Sequence, residues 1–302
     1  MRLALTRSIT LGMMLASLCL IVPVAGAQSA ETLHHVHGLA YSADGKQLMV
    51  PSHHGLAIYS GGKWSKGPGP LHDYMGFAAT SQYLYSSGHP AKGSGLVNPF
   101  GLIRSKDGGK NWDKLGLEGE SDFHLLSASW NTNAVYVWNP EPNSRMRQPG
   151  LHHTLNSGFQ WSRAAAAGLA GDPIALAVHP DDAKTVAVAT SAGIHLSRDA
   201  GASFRLLAQK EQALSAHFDL DGKHLWYGSY AGVPRLTRVE LASGAIQPVI
   251  LPAIGNKDAV SYIAQNPKSP QEYAIATFER SVYVTRDGGK TWLQIANRGR
   301  GH

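Results

Sequence analysis

Ser105-Lys106-Asp107-Gly108-Gly109-Lys110-Asn111-Trp112 sets two glycines after an acid and an aromatic five positions beyond it. Glycine adopts positive φ without steric cost, and an aspartate side chain accepts nearby backbone N–H bonds. The stretch therefore reads as a hairpin turn whose acid is structural, not catalytic, and whose aromatic packs between neighbouring sheets. It recurs. Thr285-Arg286-Asp287-Gly288-Gly289-Lys290-Thr291-Trp292 is a second full copy. Thr154-Leu155-Asn156-Ser157-Gly158-Phe159-Gln160-Trp161 replaces the acid by Asn156, and Ser197-Arg198-Asp199-Ala200-Gly201-Ala202-Ser203-Phe204 replaces the tryptophan by Phe204. Two weaker relatives complete the series. Ser60-Gly61-Gly62-Lys63-Trp64 keeps the turn and the tryptophan, and Leu241-Ala242-Ser243-Gly244-Ala245 keeps the turn alone.

Four copies in register resemble the Asp-box (BNR-repeat) propellers, a group that includes sialidases, sortilin-type domains and a photosystem II assembly factor. The resemblance implies an all-β, six-bladed β-propeller with Asp-box turns. Spacing agrees. The aromatic markers Trp64, Trp112, Trp161, Phe204, about Ile246, and Trp292 lie 42 to 49 residues apart, the length of a four-stranded blade. Those gaps leave no room for a seventh blade. Short apolar runs such as 47–50, 134–138 and 185–189 sit between Gly, Pro, Asn and Asp turns, as strands do. No amphipathic helix is evident. First strands are expected to start near Val36, Gly76, Leu125, Ile174, Ser215 and Ser261.

The N-terminus has the layout of a secretory signal. Arg2 and Arg7 precede an uncharged apolar run from Ile9 to Val24, and Ala25-Gly26-Ala27 supplies small residues at the cleavage positions. Residues 1–27 are therefore expected to be a signal peptide, with a mature chain starting at Gln28 and residues 28–302 forming one propeller domain in the periplasm or outside the cell. Leu18 before Cys19 fits a lipobox poorly, and no other segment is apolar enough to span a bilayer. Cleavage removes the only cysteine, so stability must come from the core without a disulfide. The net charge of +6 falls to +4 with the two arginines of the signal. No Lys/Arg cluster accompanies it, and nucleic acid is not an expected partner.

Fifteen histidines stand in the chain, and their distribution is uneven. In a propeller the start of each first strand and the end of each second strand lie on one rim. His35, His37 and His53 fall there in blade 1, His72, Asp73, Met75 and His89 in blade 2, and Asp122 and His124 in blade 3. Residues two apart on a strand share a face, so His35 and His37 can present two imidazoles to one ion. His124 is equivalent to His37 and can approach across the channel mouth, while Met75 offers a thioether at the same level. His53, His72, His89 and Asp73 are further ligands or orienting partners. Imidazole with thioether, and no thiolate, points to copper ahead of zinc. Affinity should fall as pH drops through the histidine range near ~6.5. The same rim also reads as a solvated polar funnel or as the seat of a catalytic histidine.

The resemblance also raises glycoside hydrolysis. A sialidase-like site needs clustered arginines for the substrate carboxylate, a Tyr/Glu pair and an acid. The family places its first arginine where this chain has His34 to Gly38, and no arginine opens any first strand. Arg235, Arg280, Tyr230 and Glu279 form a fragment of that pattern. A third reading is a protein-binding assembly scaffold. The reading taken forward is a non-catalytic exported binding protein, holding a metal ion or small ligand at the channel mouth.

Overall fold

The computed structural model describes residues 32–208 and 210–302. The signal-peptide reading of residues 1–27 therefore lies outside the described residues. Six antiparallel sheets follow one another along the chain. Blade 1 is β1 (Ala40–Tyr41), β2 (Leu48–Ser52), β3 (Gly55–Ser60) and β4 (Lys63–Lys66); blade 2 is β5 (Asp73–Ala79), β6 (Leu84–His89), β7 (Leu102–Ser105) and β8 (Asp113–Gly116). Blade 3 is β9 (Leu126–Ala128), β10 (Val135–Asn139), β11 (Gly150–Thr154) and β12 (Ser162–Arg163); blade 4 is β13 (Pro173–Val178), β14 (Val186–Thr190), β15 (Gly193–Ser197) and β16 (Arg205–Leu206). Blade 5 is β17 (Gln212–Phe218), β18 (His224–Tyr230), β19 (Pro234–Glu240) and β20 (Ile246–Val249). Blade 6 is β21 (Val260–Gln265), β22 (Tyr273–Thr277), β23 (Val282–Thr285), β24 (Leu293–Asn297) and β25 (Arg300–Gly301). The first strands β1, β5, β9, β13, β17 and β21 touch in sequence, and β21 returns to β1. The protein is an all-β, six-bladed β-propeller, with no helix among the described residues.

Both faces of each blade are buried, so the strands read as continuous apolar runs without polar alternation. The period of two survives as a choice of neighbour. In β14, Val186 and Val188 enter the cluster shared with blade 3, and Ala187 and Ala189 enter the one shared with blade 5. In β22, Tyr273 and Ile275 face blade 5, while Ala274 and Ala276 face blade 1. Each junction between blades thus holds its own apolar cluster, and burying each large side chain there contributes about 1.5–3 kcal/mol.

The repeated turns join third to fourth strands as expected. In each, a Ser or Thr hydroxyl bonds the Asp or Asn side chain and also takes the N–H of the fifth-position glycine. Asp107 Oδ1 accepts from Asn111 N at 2.9 Å, and the same bond recurs at 2.9 Å for Asn156–Gln160, Asp199–Ser203 and Asp287–Thr291. Two successive residues take positive φ, as in Gly108 (74°) and Gly109 (88°). A Cβ on Gly109 would come within 2.6 Å of Leu56 in the preceding blade, which explains the glycine at the fifth position of all four copies. These bonds hold the Asp107 and Asp199 carboxyls down at about 2. The aromatics sit at blade junctions, but Phe204 alone of the four is buried. Trp112, Trp161 and Trp292 are half-buried at the outer edge of their clusters.

The ring is closed twice. Thr32 bridges Arg300, and Leu33, wholly buried between blades 6 and 1, donates its N–H to the Gly299 carbonyl at 2.7 Å. From the other side, Trp64 Nε1 donates to the Ile295 carbonyl at 2.7 Å.

Candidate metal centre

Asp73 at the start of β5 pairs with His89 at the end of β6, which puts first-strand starts and second-strand ends on one rim. The residues before β1 run extended along the end of β2, tied by the bond from His37 N to the Pro51 carbonyl at 3.1 Å. They are not part of the strand, which begins at Ala40 and not near Val36. The His35 and His37 rings nevertheless stack with planes 17° apart and centroids 5.6 Å apart. His53, in the turn between β2 and β3, completes the group. Its ring centroid lies 4.3 Å from that of His35 and 4.7 Å from that of His37. One nitrogen from each of the three lies within 4.8 Å of the other two.

Asp73 reaches this group from the neighbouring blade. Its Oδ2 is 2.7 Å from His53 Nδ1. That contact places the proton on Nδ1 and leaves the Nε2 lone pair free, the arrangement that carboxylates impose on metal-ligating imidazoles. Its Oδ1 lies 3.8 Å from His37 Nε2. Both atoms are shut off from solvent and lack a hydrogen-bond partner. The gap is too long for a hydrogen bond, so His37 Nε2 is left with its lone pair or proton unengaged by the protein. Burial pushes the His37 imidazole down to about 4, the Asp73 charge opposing. His35 is lowered as well, by burial first and then by the charges of His53 and Arg280. Neutral imidazoles are the ligating form, so the proton competes with a metal at His37 only far below the ~6.5 of a free side chain.

The other rim residues fall into different surroundings. His124, expected to be the third ligand, is exposed, as His35 is, and its Nε2 is held by Asp122 at 2.7 Å; that bond raises its pKa. His89 contacts the same Asp122 oxygen at 3.1 Å and Asn98 at 2.7 Å. His72 is buried, packs edge-on against Phe100 and accepts the Ala91 N–H through Nδ1 at 2.9 Å. Met75 is buried opposite Ser87 of β6 and is not among the residues lining the cavity onto which His35, His37 and His124 open. His53 stood among the secondary residues of the sequence reading. The signal for its promotion is that a second-strand end returns to the rim where the first strand of the same blade begins.

Asp219, Asp221 and His224 also converge, on blade 5. There the Arg238 guanidinium donates twice to Asp219 Oδ2, at 2.7 and 3.1 Å, and Tyr273 donates to Oδ1 at 2.8 Å. The cation of that cluster is the arginine itself. Among the fragment resembling a sialidase, Arg235 pairs with Glu211 at 2.7 Å, Glu279 with Arg298 at 3.1 Å, and the Tyr230 hydroxyl donates to the Asn256 carbonyl at 3.1 Å. Arg280 is the one arginine lining the axial cavity among the described residues.

No family model matches the chain, and no curated protein matches it significantly. Solved structures are similar in fold. The GH74 enzyme of Niastella koreensis superposes with a TM-score of 0.59 at 16% identity, over 89% of this chain and 47% of that one. Hydrazine synthase of Kuenenia stuttgartiensis gives 0.55 at 15% identity, over 86% and 79%. YCF48, in a structure bound to D1 peptide, gives 0.50 at 16% identity, over 93% and 88%. The chain spans less than half the length of the GH74 enzymes it resembles. At such identities the likeness establishes the β-propeller fold.

Proposed function

We propose that the protein is an exported, non-catalytic metal-binding propeller of the Asp-box kind that holds a transition-metal ion at the channel mouth through His35, His37 and His53. Asp73 orients His53. The observation that carries this reading is the convergence of three imidazole nitrogens beside a carboxylate that is bonded to one of these imidazoles. Three imidazoles suit Cu, Zn and Ni, and copper precedes zinc in the general affinity order of divalent ions. That order, and not the Met75 thioether, now supports copper ahead of zinc. Exposed His124 stands near enough for its charge to bear on His37 and is the nearest candidate for a further ligand. Glycoside hydrolysis finds less support: Arg235, Glu279 and Tyr230, the fragment resembling a sialidase, are each engaged with other residues, and no Asp or Glu is among the described residues lining the axial cavity.

The deciding measurement is calorimetry of tag-free, chelator-stripped protein with Cu(II) and Zn(II). One ion per chain is expected. A His35→Ala/His37→Ala/His53→Ala variant should lose it. Unchanged stoichiometry and affinity in that variant would eliminate the site.

A further inference from the structure

An elongated cavity of about 590 Å³ follows the propeller axis, within the size range of small-molecule sites. Each blade contributes an apolar wall residue: Leu39, Phe77, Leu126, Leu176, Phe218 and Ile263. The cavity reaches from Arg280 on the rim to Leu220 beyond the far end of β17. At about 3.3 Å per residue, the strands alone give it a depth of roughly 20 Å. Some polar side chains in the wall are engaged elsewhere. The Ser215 and Ser261 hydroxyls donate to the Val260 and Ala276 carbonyls, and Gln265 bonds Pro270 and Tyr273. Ser127, Trp130, His217 and Tyr262 also line the cavity, so its wall is mixed, and an apolar chain gains by displacing water from the six apolar wall residues.

The mouth has a different character. Arg280 is the one permanently charged group of the lining. A single guanidinium bond is made, from NH1 to the His34 carbonyl at 2.9 Å, out of five available donors. Its backbone stands at φ 65°, a conformation that costs a non-glycine residue energy. It is held there by its N–H bond to Thr277 and by the Gly299 N–H on its carbonyl. Two residues before it, Phe278 is 57% exposed and also lines the cavity. The fold thus fixes a cation and an uncovered aromatic side by side at the entrance to a cavity that has an apolar residue from every blade and no carboxylate among its described lining residues.

We propose that the axial cavity binds a single-chain amphiphilic carboxylate, its head paired with Arg280 and its hydrocarbon chain lying in the channel. This inference does not need a bound metal, although Arg280 shares the channel mouth with His35 and His37. A free acyl carboxylate and the acyl chain of an anionic lipid share the required chemistry; the proposal commits to the free chain, and the test separates the two.

The test is calorimetry of the full chain, stripped of metal, with butyrate, octanoate, decanoate and dodecanoate below their micellar concentrations. One dodecanoate per chain is expected, with affinity rising roughly two- to fourfold per added methylene and no heat from butyrate. Arg280→Asn keeps a residue type that tolerates positive φ and should weaken dodecanoate roughly tenfold or more. Ser127→Trp, which fills the tunnel from a partly exposed wall position, should abolish binding. Ala216→Leu is the milder substitute if that variant melts early. His53 lies outside the cavity lining, so His53→Ala should weaken metal binding and keep the dependence on chain length, which separates failure of this proposal from failure of the metal reading. Heats that do not vary with chain length, dodecanoate binding that survives both filling variants, or binding to phosphatidylglycerol vesicles without binding of free dodecanoate would each overturn the proposal.

Discussion

Asp73 Oδ2 lies 2.7 Å from His53 Nδ1, across the junction between blades 2 and 1. The contact is made between the start of one blade's innermost strand and the turn that ends the second strand of the preceding blade. Assembling the ring therefore brings the orienting carboxylate to the imidazole group, because Asp73 comes from a different sheet than the nitrogens it serves.

Asp73→Asn should weaken metal binding about 10- to 100-fold while keeping one ion per chain, the usual consequence of removing a carboxylate behind a ligating imidazole. The amide keeps the shape and removes the charge that stabilises His53 with its proton on Nδ1. Calorimetric titration of parent and variant decides it. Loss of stoichiometry together with affinity would make Asp73 a direct ligand instead, and no change would detach it from the site.

The blade count was legible because each marker fell at the start of an outermost strand: Trp64 within β4, Trp112 just before β8, Ile246 opening β20. A turn that needs two positive φ values and a side-chain acceptor leaves a local trace that survives in four copies. The rim was legible too, because strand pairing fixes which ends meet. The ligand set was read less well, for local reasons. Gly76 adopts φ 41° and the pairing shifts between Met75 and Ala78, so simple alternation does not carry the level of Met75 across from blade 1. His124 is expected to approach across the channel mouth, but Asp122, two residues before it, takes up its Nε2. His53 was undervalued because a turn residue has no periodicity to place it.

The tryptophans of the repeated turns should matter less than their regularity implies. Trp112 and Trp292 are half-buried, whereas Trp226 is 1% exposed and stacks on Tyr273 with centroids 4.4 Å apart. Trp226→Ala should cost about 3–5 kcal/mol, and Trp112→Ala or Trp292→Ala about 1–3 kcal/mol, because less buried surface is emptied. Denaturant midpoints order the three variants. If Trp112→Ala proved as damaging as Trp226→Ala, the outer position assigned to the turn aromatics would be wrong.

Closure of the ring rests on a residue that the sequence does not single out. Leu33 is wholly buried in the cluster between blades 6 and 1, and its N–H is tied to Gly299. Leu33→Ala should cost about 2–5 kcal/mol and should speed proteolysis at the 298–302 end before the rest of the chain. Limited proteolysis with mass detection reads both ends. A variant cleaved no faster there than the parent would show that Trp64 alone closes the ring.

Stability of the metal-free protein should rise with pH between about 4 and 6.5, and His217 provides the cleanest measure. Its Nε2 is cut off from solvent without a partner, and burial pushes the imidazole down to about 4 against the opposing charge of Asp219. In the unfolded chain it titrates near ~6.5. Between the two values the unfolded chain holds the proton and the folded chain does not, so the proton excess lies with the unfolded state and unfolding free energy increases with pH. The contribution is complete above about 6.5 and is lost as pH falls toward 4. Each proton of difference gives a slope of about 1.4 kcal/mol per pH unit. His37 titrates in the same window and the same direction, so the parent slope should exceed that of one group. His217→Leu removes the proton-binding nitrogen and should lower the slope by up to one proton, without moving the calorimetric affinity for Cu(II) at pH 7. Urea denaturation at half-unit intervals from pH 4.5 to 7.5, in the presence of a chelator, gives both slopes. Parallel curves for parent and variant would mean that His217 takes up its proton in the folded state as easily as in the unfolded one.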